Sequence, residues 1–67
     1  MEDKRLSMKM ARIGVGLSQA EIADKLGVNI NTYGRWEKDP ESMSIKDAVR
    51  FCRIVGRGFD EIKFLPI

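Results

Sequence analysis

Hydrogen-bonding side chains are concentrated in one short stretch of the sequence, and this stretch is the best candidate for contact with another molecule. Its amides, hydroxyl and cations are Asn29, Asn31, Thr32, Arg35 and Lys38. The amide of Asn31 can donate and accept at the same time, and the guanidinium of Arg35 offers parallel donors. Such groups recognise a partner through paired hydrogen bonds and need no covalent chemistry.

The sequence lacks the arrangements of residues that carry catalysis or bind metals. There is no His, and the single Cys52 falls on the apolar stripe of a predicted helix, where nothing would activate its thiol. No pair of carboxylates has a spacing that suggests acid–base work, and no Gly-rich loop resembles a phosphate cradle. An enzyme, a metal site, a cofactor and a disulfide framework are therefore not expected.

Two short helices joined by a glycine turn would position the polar side chains. Ser18 can cap the first helix with its hydroxyl, and Glu21 can reach back to complete a capping box. Gly27 can end that helix in the left-handed conformation, which a residue without a Cβ adopts at little cost. The pattern predicts helices over residues 19–26 and about 29–38, which is the signature of a helix-turn-helix.

The apolar residues of this motif predict which side of the second helix faces outward. The residues predicted to fill the space between the two helices are Ile22, Leu26, Val28, Tyr33 and Trp36. Asn29 can cap the second helix. The start of that helix, residues 30–35, is then left to project from the protein.

The rest of the chain predicts an all-α fold of five helices in a single domain, residues 1–67. Helix 1 is predicted over about 5–15, helix 4 over about 45–55 and a short helix 5 over about 59–64. The predicted buried stripes are Met8, Ala11, Arg12 and Val15 in helix 1, and Ile45, Ala48, Val49, Cys52 and Val55, with Phe51 beside them, in helix 4. A solvated face of helix 4 is predicted to carry Lys46, Arg50 and Arg53.

Composition places the chain among soluble globular proteins. It has 67 residues, of which 43% are hydrophobic and 33% charged, and its net charge is +2. No apolar run approaches the roughly 20 residues of a membrane span, and the charged start, Met1–Arg5, lacks a signal-peptide core. A cytoplasmic location without membrane contact is expected. The weak positive charge alone gives little support for a nucleic-acid partner.

Residues 16–38 resemble the helix-turn-helix of the phage repressor and Cro family, also called XRE-type, and the likeness covers most of the chain. It rests on Leu17-Ser18-Gln19, Leu26-Gly27-Val28, Trp36-Glu37, and Gly56 ahead of Asp60-Glu61-Ile62. The resemblance implies a compact five-helix, lambda-repressor-like domain that binds double-stranded DNA in the major groove. It further implies a bacterial or phage-encoded transcription regulator, of the phage or prophage repressor kind, that binds a palindromic operator as a dimer. A small-molecule ligand is not expected.

The same resemblance assigns roles to individual side chains. The base-reading residues would be Ile30, Asn31, Thr32 and Arg35, and the phosphate-contacting residues would be Gln19, Asn29, Tyr33 and Lys38. Arg12 lies on an otherwise apolar face, which is compatible with an apolar stem that reaches to water. The alternative, which the family favours, is a structural ion pair between Arg12 and Glu37.

Two features leave the partner open. The apolar end of the chain is either a dimer surface or part of the core beneath helix 4, and its residues are Phe59, Ile62, Phe64, Leu65 and Ile67. The loop after the motif, Asp39-Pro40-Glu41, carries two carboxylates that would repel phosphates. This acidic loop and the weak net charge support a second interpretation, a protein-interaction module on the same fold, such as an antitoxin.

Overall fold

The computed structural model describes residues 4–65, which form an all-α structure. The helices are α1 (Met8–Gly14), α2 (Gln19–Leu26), α3 (Ile30–Lys38) and α4 (Ile45–Val55), with single turns of 3-10 helix at Pro40–Ser42 and Phe59–Glu61. The predicted all-α class is confirmed, whereas the prediction of five helices is wrong by one. Within the described range, even the longest helix, α4, falls short of the length and apolarity needed to span a bilayer.

The two helices of the central motif begin and end where local hydrogen bonds fix them. The Oγ of Ser18 accepts from the Glu21 N–H at 3.1 Å, and Glu21 Oε1 accepts from the Ser18 N–H at 2.9 Å, so the capping box is present. Gly27 ends α2 with a φ of 71°, in the left-handed region that favours glycine. Asn29 caps α3 by accepting from the Asn31 N–H at 2.7 Å. The predicted helix-turn-helix is therefore confirmed.

One apolar core holds the helices together and fixes the inner face of α3. Tyr33 of α3 stacks on Phe51 of α4 with ring centroids 6.3 Å apart, and Phe51 meets Phe64 edge-on at 6.2 Å. The buried apolar side chains are Met8, Ala11, Ile22, Ala23, Leu26, Tyr33, Trp36, Ala48, Phe51, Cys52, Val55, Ile62 and Phe64. Because α3 contributes Tyr33 and Trp36 to this core, its opposite face is left toward solvent.

Helix α1 is shorter than predicted at both ends. It begins at Met8 because Ser7 caps it, accepting from the Met10 N–H at 3.1 Å. Leu6 instead forms a parallel bridge with Ile62, which holds the start of the chain beside its end. Val15 lies in the turn after the helix and is exposed, so its predicted place on the buried stripe is wrong.

Helix α4 has the predicted bounds and buries most of the predicted stripe. The buried residues are Ala48, Phe51, Cys52 and Val55, while Ile45 and Val49 are exposed. The helix is rotated toward Phe51, because the large ring of that residue packs between two other aromatic rings of the core. The prediction is therefore confirmed for Ala48, Cys52, Val55 and Phe51 and wrong for Ile45 and Val49.

The predicted fifth helix is also wrong, because only the turn Phe59–Glu61 is helical. Ile62 is extended and pairs with Leu6 through two main-chain hydrogen bonds of 2.9 and 2.8 Å that flank it. Ile62 and Phe64 are buried in the core, which favours the core alternative for these two residues, although Phe64 also lines a surface groove beside Phe59 and Leu65. Phe59 and Leu65 are exposed, and Ile67 lies outside the described residues.

Candidate nucleic-acid interface

The first two turns of α3 present polar side chains to solvent. Asn31, Arg35 and Ile30 are exposed, and Thr32 is half-buried. The side-chain oxygen of Asn29 is occupied by the cap, which leaves its amide nitrogen as the group that can donate outward. The outward tip that the sequence predicts, residues 30–35, is therefore in place.

An open groove runs between the start of α2 and the outward face of α3. Its lining residues are Gln19, Ile30, Asn31, Gly34, Arg35 and Lys38. A recess next to it shares Gln19, Gly34 and Lys38 and adds Lys9 and Glu37. Three of the four predicted base-reading residues and two of the four predicted phosphate-contacting residues thus lie on one surface.

A hydrogen-bond network is centred on the carboxylate of Glu37, which lines the recess next to this groove. Arg12 donates from Nε to Glu37 Oε2 at 2.7 Å and from Nη2 to Oε1 at 3.4 Å. Gln19 Nε2 donates to Oε1 at 3.0 Å, and the Tyr33 hydroxyl donates to Oε2 at 2.5 Å. These contacts, here called the Glu37 network, join α1, α2 and α3 at one carboxylate.

The ion pair with Arg12 compensates the negative charge of Glu37 in the recess next to the groove. The side chains of Arg12 and Glu37 are only 10% and 7% exposed, so the ion pair is shielded from water. Burial opposes ionisation of Glu37, but hydrogen bonds from Arg12, Tyr33 and Gln19 outweigh it and hold the pKa of the carboxyl below its usual range. The predicted Arg12–Glu37 pair is present, and Arg12 does not extend to water.

The network also changes the roles predicted for two of its members. Tyr33 is fully buried and its hydroxyl is committed to Glu37, so the structure offers no phosphate contact from this residue. The side-chain nitrogen of Gln19 is committed in the same way and braces α3. What Gln19 retains for a phosphate is its position as the first residue of α2, where main-chain N–H groups have no partner within the helix.

Two residues that sequence reasoning missed contribute to this part of the molecule. Lys9 lines the recess beside the groove. It lies three residues before Arg12 and hence on the same side of α1, and this spacing could have predicted its position. Arg50, predicted to be a solvated residue, donates from Nη2 to the carbonyl oxygen of Leu26 at 3.0 Å. Its Nη1 lies 3.5 Å from a carboxylate oxygen of Asp47. This Arg50 link ties α4 to the last residue of α2.

The acidic loop lies beside the groove and not within it. Asp39 and Glu41 are exposed and border a separate recess that also includes Lys38 and Lys63. Among the described side chains that line the groove and its adjoining recess, the charged ones other than Glu37 are basic: Lys9, Arg35 and Lys38. The surface next to α3 is therefore positive even though the whole chain carries a net charge of only +2.

Comparison with known proteins supplies the family. The sequence family described as Helix-turn-helix matches residues 8–62, which is most of the chain. No curated protein and no solved structure matches the chain. The matched range includes all four helices and the residues that line the groove. The chain therefore belongs to the Cro/CI, or XRE, type of helix-turn-helix family, whose members are DNA-binding transcription regulators.

Proposed function

We propose that this protein is a sequence-specific transcription regulator of the phage or prophage repressor kind, which binds a palindromic operator in double-stranded DNA as a dimer. The observation that carries this proposal is the positive groove, where an amide and a guanidinium project from α3 next to two lysines. The major groove of DNA is wide enough to admit an α-helix, so the outward face of α3 can reach the edges of the bases.

Base reading is assigned to the first two turns of α3. The Asn31 amide can bond adenine N6 and N7 together, and the Arg35 guanidinium can bond guanine O6 and N7. Ile30, which is 44% exposed, offers an apolar contact for a thymine methyl group, and Thr32 offers a methyl and a hydroxyl. Residues 31 and 35 are one turn apart, so the two strongest readers address neighbouring base pairs.

Phosphate contacts are assigned to the ends of the helices and to the cation at the end of α3. The N–H groups at the start of α2, from Gln19, and the amide nitrogen of Asn29 are suitable donors for phosphate oxygens. Lys38 is exposed and lines the groove. These contacts fix the position of the helix on the duplex and carry no sequence information.

Alanine substitution of the two readers tests the proposed function. After an operator has been selected from random duplex DNA, we expect Asn31→Ala and Arg35→Ala each to weaken operator binding by about 1–3 kcal/mol, which is roughly 5- to 150-fold. The measurement is fluorescence anisotropy at several salt concentrations. Arg53→Ala is the matched control, because Arg53 is an exposed arginine of α4 that does not line the groove.

The outcome separates reading from folding. Both variants should keep the helical circular dichroism of the parent, because residues 31 and 35 are exposed and do not belong to the buried core. Equal operator affinity of the parent and both variants would contradict the assignment of the readers. A parent protein that binds no duplex DNA at low salt would contradict the proposed function itself.

Dimer formation is assigned to an exposed apolar groove on the other side of the acidic loop. Its exposed apolar residues are Ile45, Phe59 and Leu65, and Met43 lies half-buried among them. Glu41 and Lys63, of opposite charge, border the neighbouring recess. A surface with an apolar centre and charges of both signs can pair with a copy of itself across a two-fold axis. Such a dimer would place two recognition helices about 34 Å apart on DNA.

The dimer surface is tested by removing its most exposed apolar group. Ile45 is 77% exposed at the start of α4, so Ile45→Gln should leave the fold and the charge unchanged. We expect this variant to bind an isolated half-site as the parent does, but to lose the additional affinity of the full palindrome. Ile13→Gln is the control, because Ile13 is exposed on α1 and does not line this groove. Parent-like palindrome binding by Ile45→Gln would rule out this surface.

A protein-interaction module, such as an antitoxin, is the second candidate function. The exposed carboxylates of Asp39 and Glu41, next to the apolar groove, favour this alternative. A DNA-binding protein loses affinity steeply as salt rises, because binding releases counterions from the duplex and that release is less favourable at high salt concentration. A module that binds only proteins would give no such complex with DNA, so the salt series described above distinguishes the two functions.

A further inference from the structure

Glycine stands in the middle of α3, where the fold gives no reason for it. Gly34 is the fifth of nine residues in the helix, and its φ is not in the left-handed region. A Cβ built at Gly34 would meet no heavy atom within 4 Å outside its own helix turn and neighbours. Glycine is among the poorest helix formers, so neither helix stability nor internal packing accounts for it.

Gly34 lies where the groove and its adjoining recess meet. Both are lined by Gly34, Gln19 and Lys38, and the recess adds Lys9 from α1. The two ammonium groups carry positive charge, and the nearby Glu37 carboxylate is neutralised by Arg12 at 2.7 Å. The main chain of α3 is thus accessible at Gly34, where Lys9 of α1 and Lys38 of α3 line the same recess.

We propose that Gly34 is the floor of a phosphate subsite, in which a phosphate of the DNA backbone lies against the main chain of α3 between Lys9 and Lys38. This proposal rests on the proposed function and deepens it by adding Gly34 and Lys9 to the interface. A phosphate carries a full negative charge, and ammonium groups on two sides hold it as point charges. The Cβ of any other residue at position 34 would occupy the space that the phosphate needs.

Alanine at position 34 should make the protein more stable and at the same time weaken its binding to DNA. A variant with a damaged fold would lose both stability and binding. Because alanine is the best helix former and the added methyl group meets no protein atom, Gly34→Ala should raise Tm by about 4–8 °C. The same methyl group should weaken duplex binding about tenfold. The loss should be equal for operator and random duplex, since a phosphate contact carries no sequence information.

Two further variants complete the experiment. Gly14→Ala is the matched control, because Gly14 is also helical, has open space around a built Cβ and does not line the groove or the recess. It should raise Tm and leave DNA affinity unchanged. Lys9→Gln should reduce operator and random-duplex affinity together and lower the salt slope of log K by about one. Anisotropy titrations of both duplexes, with thermal unfolding followed by circular dichroism, supply all the readouts.

Each outcome of these measurements either supports or overturns the phosphate subsite. Raised Tm with weaker binding to both duplexes for Gly34→Ala, together with the Lys9→Gln loss, supports the subsite. Unchanged DNA affinity of Gly34→Ala overturns it while leaving the proposed function intact, and so does a loss confined to the operator, which would indicate a base contact. If the parent itself binds no duplex, the proposed function and this inference both fail.

Discussion

Helix α3 is attached to the rest of the molecule by polar contacts at both ends, and the two attachments differ in kind. At its C-terminal end the Glu37 network joins three helices around one shielded carboxylate. At its N-terminal end the Arg50 link holds the preceding turn by a single hydrogen bond to Leu26, and the Arg50 side chain is 42% exposed. A shielded ion pair therefore holds the C-terminal end of α3, whereas a partly exposed hydrogen bond holds the turn that precedes its N-terminal end.

The difference teaches where the orientation of the reading surface is determined. A shielded charge without its partner is costly, because little water can replace the lost contact. An exposed charge without its partner is simply hydrated. The Glu37 network is therefore expected to set the angle of α3 firmly, whereas the Arg50 link should only restrict movement of the turn before it. Three measurements test this contrast.

The largest effect is expected from Glu37→Ala, which leaves the Arg12 guanidinium shielded and without its carboxylate. We expect the free energy of unfolding to fall by about 3–5 kcal/mol. For a domain of this size that is a large part of the total, so the variant should be partly unfolded near 37 °C. Urea titration followed by the fluorescence of Trp36, which is 7% exposed in the folded chain, is the measurement.

A double variant separates the ion pair from the other contacts of Glu37. Arg12→Met with Glu37→Ala removes both charges, so it should be less destabilised than the sum of the two single variants. If the losses simply add, the two side chains are not energetically coupled. A loss of less than about 1 kcal/mol for Glu37→Ala would place the network among ordinary surface ion pairs and remove the contrast with Arg50.

A smaller effect is expected from acid. Hydrogen bonds from Arg12, Tyr33 and Gln19 outweigh burial and hold the pKa of Glu37 below its usual range in the folded state. The unfolded chain therefore takes up this proton first as pH falls. The stabilisation from Glu37 is complete above the unfolded pKa and is lost as pH falls through the folded pKa, so the loss should begin below about pH 5.

Urea titrations between pH 7 and pH 3 measure this loss. Glu21 and Glu61 also have lowered pKa values, because each accepts a hydrogen bond from a main-chain N–H, so the parent curve contains their contributions. Subtracting the curve of Glu37→Gln isolates the contribution of Glu37, because that variant keeps the shape of the side chain but cannot titrate. Parallel curves for parent and variant would show that Glu37 does not contribute to the acid response.

The smallest effect is expected from Arg50→Ala, at the exposed attachment. Loss of the bond to the Leu26 carbonyl should reduce the free energy of unfolding by about 1 kcal/mol. The loss should shrink in 1 M NaCl, where screening weakens exposed charges, whereas the loss in Glu37→Ala should persist. Arg53→Ala is the control and should stay within about 0.5 kcal/mol of the parent. A larger loss for Arg50→Ala than for Glu37→Ala would reverse the comparison.

The motif was predictable because its boundaries are encoded locally. Ser18 with Glu21, Gly27 and Asn29 act within four residues of themselves, and the structure places each cap where the sequence pattern does. The α4 bounds were correct for the same reason, since Ser44 caps the helix and Gly56 ends it. Helix caps can be predicted from the sequence because they depend on residues a few positions apart and not on how the helices pack.

The errors arose where distant residues decide the structure. The extended backbone at Leu6, where a helix was predicted, and the loss of a fifth helix both accompany the bridge between Leu6 and Ile62, which no local pattern indicates. The rotation of α4 toward Phe51 depends on two rings from other parts of the chain. In the candidate site, the outward residues were found from helical spacing, but Lys9 was missed because its approach to Lys38 depends on the packing of α1.

The bridge between Leu6 and Ile62 bears on the order in which the chain assembles. It joins residues 56 positions apart, while the turn between α2 and α3 spans only Gly27 to Asn29. Closing the longer loop costs more chain entropy, so the bridge should form after the helices have docked. In the folded protein its amides, those of Leu6 and Lys63, should accordingly exchange with deuterium sooner than those of α3. We therefore expect the pairing of Leu6 with Ile62 to open more often than the contacts that hold α3.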